Sequence, residues 1–141
     1  MAGYKGFGSF HSDNIEELLR IPDAAYTPPS NALDEAAIAE VLASIGAGDA
    51  AAAFGKPFRR FMCLDDSWTF VNHGAFGGTL AVAMDLAHKW RLRLERQPLL
   101  FIDRELFPLI VAAMRRLAPF VGASPTDFTF VPNATTGCVA L

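Results

Sequence analysis

Apolar side chains at Leu106, Leu109, Ile110, Ala113, Met114 and Leu117 succeed one another at steps of three, one, three, one and three. That spacing returns to one side of an α-helix every turn and predicts a helix with a single buried stripe, capped ahead by Asp103. Such a stripe has to be covered by other elements, so the rest of the chain is read for what could cover it. Upstream, a helix from about Thr79 must finish near Arg96, because Pro98 follows. Trp68-Thr69-Phe70-Val71 and Phe128-Thr129-Phe130-Val131 are short β-branched and aromatic runs, and both are read as strands. Ser124-Pro125-Thr126-Asp127 reads as a turn, and a helix starts again after Pro132-Asn133-Ala134-Thr135-Thr136-Gly137. The order strand, helix, helix, strand, helix start is the opening of an α/β layered domain, and α/β is the fold class expected here.

The first part of the chain has a different texture. Asp13-Asn14-Ile15-Glu16 has capping-box spacing and predicts a short helix through Leu19. Tyr26-Thr27-Pro28-Pro29-Ser30 breaks it. A second helix is expected from Asn31 as cap through Ile45, stopped by Gly46. The alanines from Asp49 to Phe54 fit either a third short helix or a spacer. Residues 1–58 are therefore read as a helical or flexible extension, and 59–141 as the beginning of the layered domain. A final helix of about five residues is marginal alone, since nucleation costs more than one turn returns, so the sequence reads as cut.

Composition excludes several function classes. With 52% apolar and 19% charged residues the chain is not a disordered tail. A formal charge of -3 gives no overall electrostatic case for nucleic acid or an anionic membrane. The cationic run His88-Lys89-Trp90-Arg91-Leu92-Arg93 is interleaved with apolar residues and reads as a solvated helix face. No apolar run approaches the roughly 18 to 20 residues needed to cross a bilayer, and Met1 to Phe10 has no apolar signal region. Cys63 and Cys138 form no short-spaced pair, which suits free thiols in the cytoplasm. His11, His73 and His88 lack metal-ligand spacing.

Two segments can carry chemistry. At 133–137 a small-residue, hydroxyl-bearing loop opens a helix. The first helical amides there lack intrahelical partners, and Thr hydroxyls add donors, which outlines a phosphate site. The alternative is that Asn133 or Thr135 only caps the helix. At Asn72-His73-Gly74 a glycine-rich loop either presents an amide and an imidazole to a ligand or is a turn whose Asn and His satisfy local backbone groups. Arg104, in Asp103-Arg104-Glu105, is either an anion-binding group or a solvated charge at a helix start.

Three segments in order, Phe70-Val71-Asn72-His73-Gly74-Ala75-Phe76-Gly77, then Gln97-Pro98 through Phe101 with Arg104-Glu105, then Phe130-Val131-Pro132-Asn133-Ala134-Thr135-Thr136-Gly137, resemble class V aminotransferase-like enzymes of the isopenicillin N epimerase-like branch. The resemblance covers about Trp68 to Leu141; Met1 to Lys56 resemble nothing known. It implies the N-terminal part of a fold type I transferase dependent on pyridoxal 5′-phosphate (PLP), with Ala134, Thr135 and Thr136 holding the cofactor phosphate. It implies Asn72, His73 and Arg104 as contacts to an amino-acid substrate, and a homodimer for the complete enzyme. Ala75 stands where many relatives carry Ser, and Cys138 where an aliphatic residue is usual. Lys5, Lys56 and Lys89 match no Schiff-base lysine, so the chain is expected not to be catalytic alone. Epimerase, lyase or desulfurase, and aminotransferase chemistry remain equally compatible. The competing expectation is a non-catalytic remnant that serves as a protein-interaction module.

Overall fold

A computed structural model describes residues 13–30, 35–37, 39, 40, 43 and 55–140. The chain divides into two compact units, Met1–Ser30 with Gln97–Leu141, and Asn31–Arg96. The Ala-rich stretch from Asp49 to Phe54, and the cap and stop foreseen for the preceding helix, lie outside the described residues; 35–37, 39, 40 and 43 are helical.

In the first unit α1 spans Ile15–Arg20. Its cap is Asn14 rather than the Asp13 of the capping-box reading: the Asn14 side chain accepts from the Glu16 amide at 2.8 Å. Glu16, instead of reaching back, pairs with Arg20 one turn on at 3.4 Å. Downstream, a helical turn Pro98–Leu100 runs into a π-helical segment Phe101–Glu105 and then into α4, Leu106–Val121. The π turn is closed by the Leu106 amide on the Phe101 carbonyl. Pro108 explains its position. Proline has no amide for the carbonyl four residues back, Arg104, and its ring crowds that carbonyl; a widened turn just ahead makes room. Asp103 thus sits inside a helical run and not at the helix start expected for it.

α4 ends in a Schellman arrangement. Gly122 takes φ 69°, and the Gly122 and Ala123 amides donate to the carbonyls of Pro119 and Ala118. A side chain other than glycine is strained at that φ.

The buried face of α4 is rotated from the one the spacing predicted. Val111, Met114 and Ala118 are buried, whereas Leu106, Leu109, Ile110 and Leu117 are half-buried and Ala113 is exposed. α1 packs against α4, and Arg115 lies between Val111 and Ala118 in sequence on that rotated side. Its guanidinium reaches the carbonyls that end α1.

The α/β expectation is overturned. No strand forms among the described residues, and the only described β pairing is a single antiparallel bridge, Met62 with Leu80. Trp68 to Val71 and Phe128 to Val131 are irregular, and Phe70, Val71, Phe130 and Val131 are exposed. The physical reason is partnership. β-propensity describes how a side chain fits a pleated surface shared with neighbours, and a strand's amides and carbonyls need a second strand. No described segment runs beside either stretch. A fold type I transferase domain, which needs a layered sheet, is therefore not the architecture of this chain.

The second unit contains a 3₁₀ segment Lys56–Phe61, the short helix α2 at His73–Phe76 and the long helix α3 at Ala81–Arg96. α3 turns Val82, Leu86, Trp90 and Leu94 partly inward at four-residue steps, while His88, Lys89, Arg91 and Arg93 face outward. The cationic run is a helix face, as expected. Both cysteines are free and exposed. No helix among the described residues is long and apolar enough to cross a membrane.

Candidate functional site

Of the residues singled out from sequence, Ala134, Thr135, Thr136 and Arg104 belong to the first unit, on separate elements, and Asn72 and His73 to the second. In the first unit, α5 spans Ala134–Ala140. Its first i→i−4 bond is the Gly137 amide on the Asn133 carbonyl, 3.2 Å. The Asn133 side chain is the cap: its Oδ1 accepts from the Thr136 amide at 2.9 Å and from the Thr136 hydroxyl at 3.1 Å. Thr136 is thereby committed to its own helix. Ala134 and Thr135 occupy the first two helical positions, whose amides have no intrahelical acceptor. Both residues are exposed, which leaves these two amides and the Thr135 hydroxyl as candidate donors. An anionic phosphate oxygen fits those donors, and it fits Ala134 and Thr135 better than Thr136.

Arg104 lies in the π-helical segment of the same unit. Its Nε stands 2.8 Å from Asp103 Oδ2, and its side chain is largely exposed. One nitrogen of the guanidinium is thus paired with a neighbouring carboxylate.

In the second unit the Asn72–Gly78 stretch is set up by a turn before it. Arg59 donates from Nη2 to the carbonyls of Asp65 and Trp68. Its Nε is 3.5 Å from Asp66 Oδ1 but makes no hydrogen bond, so that pair is an ion pair by proximity only. Asp65 Oδ1 accepts from the Ser67 hydroxyl at 2.6 Å and from the Ser67 amide at 2.8 Å. These two bonds, with Arg59 adding a smaller pull, hold the Asp65 carboxyl below its ordinary range. A carboxylate depressed on folding supports the fold above its unfolded pKa, and that support is lost as pH falls through the lower, folded one. A carbon-detected NMR titration is expected to place the Asp65 midpoint below the ordinary 3.8, and Ser67→Ala should move it back up. A midpoint at or above the ordinary value would remove this account of the turn.

Beyond the turn, Asn72 caps α2 through its carbonyl, which accepts from the Ala75 amide at 3.3 Å. Its side chain makes no capping bond. His73 behaves differently: its Nδ1 accepts from the Gly78 amide at 3.1 Å. Phe70 meets the imidazole nearly edge-on, with centroids 4.7 Å apart and planes at 87°. For His73 the local-turn reading is realised; for Asn72 the side-chain amide stays available. Gly78 completes the arrangement by being small, since a Cβ there would stand 2.8 Å from Met62 Cε and 3.2 Å from His73 Cε1. Adjacent to this, the Cys63 amide donates to the Thr79 carbonyl at 2.8 Å.

Sequence reasoning missed Arg115, the most densely bonded side chain of the first unit. A charged residue between buried positions of an amphipathic helix was the available signal. Beside it, burial pushes the Tyr26 phenol up while the guanidinium pulls it the other way. No group of three His, Cys, Asp or Glu side chains able to hold a metal occurs among the described residues. Comparison of the chain with protein-family models, with curated proteins and with solved structures gives no match.

Proposed function

We propose that this chain binds a PLP-type cofactor by its phosphate, as part of an enzyme acting on an amino acid or an amino-acid-derived amine. The observation that carries the reading is the first turn of α5, where the Ala134 and Thr135 amides and the Thr135 hydroxyl are open while Asn133 holds the turn in shape through Thr136. That agrees with the segment Phe130 to Gly137, whose residues resemble the cofactor-phosphate loop of class V aminotransferase-like enzymes.

The chemistry such a cofactor supplies when bound is an electron sink for a carbanion at the substrate α-carbon. This chain's residues contribute binding and orientation. Ala134 and Thr135 grip the phosphate, the end of the cofactor remote from the reacting atoms. From the resemblance, the side-chain amide of Asn72 and the imidazole of His73 are substrate contacts in one unit, and the partly paired Arg104 is a candidate anion contact in the other. Lys5, Lys56 and Lys89 resemble no cofactor-linked lysine, so the chain alone is a binding component and not the catalyst.

The test is a titration of the isotope-labelled chain with PLP, followed on backbone amides. Ala134 and Thr135 are expected to shift saturably, Thr136 much less because its amide is already bonded. Inorganic phosphate should compete. A second reading, a protein-interaction module, is favoured by exposed apolar side chains such as Trp68, Val71, Phe76 and Phe120. Unmoved amides at Ala134 and Thr135 would leave that second reading in place of the first.

A further inference from the structure

We infer that His73 meets its ligand with the hydrogen on Nε2, so that the group it takes is an oxygen acceptor, the carboxylate of an amino acid, and not the amine. The Gly78 amide is a donor and nothing else. At 3.1 Å from Nδ1 it needs a lone pair on that nitrogen, which leaves Nε2 as the protonated position of the neutral ring. Two features hold the ring to this choice. Phe70 lies against it at 87°, which fixes the plane of the imidazole. Gly78 comes close enough only because it has no Cβ, with Met62 Cε, His73 Cε1 and Leu64 Cδ1 crowding the place a Cβ would take.

The consequence concerns recognition. An Nε2–H group offers a hydrogen to a carboxylate, a carbonyl or a phosphate oxygen, and offers nothing to an ammonium, which is itself only a donor. Nδ1 itself is not offered to a ligand, because its lone pair is taken by the Gly78 amide. The assignment of the ligand as an amino acid rests on the reading given under Proposed function; the assignment of the tautomer does not.

Long-range proton–nitrogen correlation spectra of the full labelled chain above about pH 8, where an ordinary imidazole is neutral, read the tautomer directly. His73 is expected to show its hydrogen on Nε2. Gly78→Ala should relax that bias, and should it fail to fold, the spectrum of the unaltered chain still decides. Two probes then separate the recognised group: propionate, a carboxylate with no other acceptor, and ethylamine, an ammonium with no oxygen. Propionate should shift the His73 Nε2 resonance, and His73→Phe should weaken its binding by about tenfold, as loss of one bond to a charged acceptor implies. Ethylamine should leave the resonance unmoved. A hydrogen on Nδ1 overturns the inference, as does a response to ethylamine or none to propionate. Cofactor binding is read at Ala134 and Thr135, so failure of either reading is distinguishable from failure of the other.

Discussion

Replacing Arg115 with methionine is expected to release α1 from α4 and to lower the stability of their unit by about 2 to 4 kcal/mol. The Arg115 side chain is only 10% exposed. Its Nη2 donates to the carbonyls of Leu18, Leu19 and Ile21, at 3.0, 3.1 and 2.6 Å. These are carbonyls at the end of α1, which lack amide partners within the helix. The guanidinium also lies 4.1 Å above the Tyr26 ring, and Nη1 is 2.5 Å from Asp23 Oδ1.

The magnitude follows from which of these survive discounting. Hydrogen bonds from a charged donor contribute about 1.5 to 3 kcal/mol each. One nitrogen with two hydrogens cannot serve three carbonyls fully, and released carbonyls return to water. The stacked ring adds about 0.5 to 2 kcal/mol. Asp23 is 96% exposed, so its pairing adds under about 1 kcal/mol. The contribution is thus mostly hydrogen bonding and stacking. Asp23→Asn should be nearly silent, and added salt should matter little. Arg115→Lys should recover only part of the loss, since an ammonium has no planar fork. Hydrogen exchange at Leu18, Leu19 and Arg20 with a denaturant melt would measure it. Full protection of those amides in Arg115→Met would show that apolar contacts alone hold α1.

Thr135→Val is expected to weaken PLP binding by roughly ten- to a hundredfold, the value of one hydrogen bond to a charged acceptor. Valine keeps the volume and removes the donor. Both amides at the helix start remain, so binding should weaken without vanishing. Asn133→Ala is the informative companion. It removes the acceptor for the Thr136 amide and hydroxyl, costing about 1 kcal/mol of helix stability. A helix this short has little reserve against that. Asn133→Ala should therefore lose affinity together with order in α5, visible as loss of amide protection, whereas Thr135→Val should lose affinity with the helix intact. Asn72→Ala should leave phosphate affinity unchanged. Calorimetric titration with PLP, beside exchange measurements on α5, separates these cases. A Thr135→Val chain that binds as tightly as the unaltered one would return residues 133–136 to the role of a helix start and no more.

Local elements could be read from residues alone wherever short-range chemistry decides them. Proline punctuation placed the end of α3 ahead of Pro98, because φ restriction and a missing amide act within a turn. A capping side chain two or three residues from its donor is equally local, so the starts of α1 and α5 were visible to within a residue. From sequence, residues 133–137 were either a phosphate site or a helix start capped by Asn133 or Thr135. The geometry makes Asn133 the cap, through the Thr136 amide and hydroxyl, and leaves Thr135 outside that role.

What residues alone did not determine depends on partners distant in the chain. Phe128-Thr129-Phe130-Val131 has the composition of a strand, but a strand exists only with a neighbour, and no described segment supplies one. The α/β architecture expected from those runs failed for that reason. The apolar spacing of α4 predicted a helix correctly and its buried face incorrectly. Hydrophobicity favours many orientations about a helix axis nearly equally, and one guanidinium reaching the carbonyls at the end of α1 selects among them. The same holds at His73: the sequence placed an imidazole in a glycine-rich loop, but only folding brought the Gly78 amide to Nδ1 and thereby chose which nitrogen carries the hydrogen.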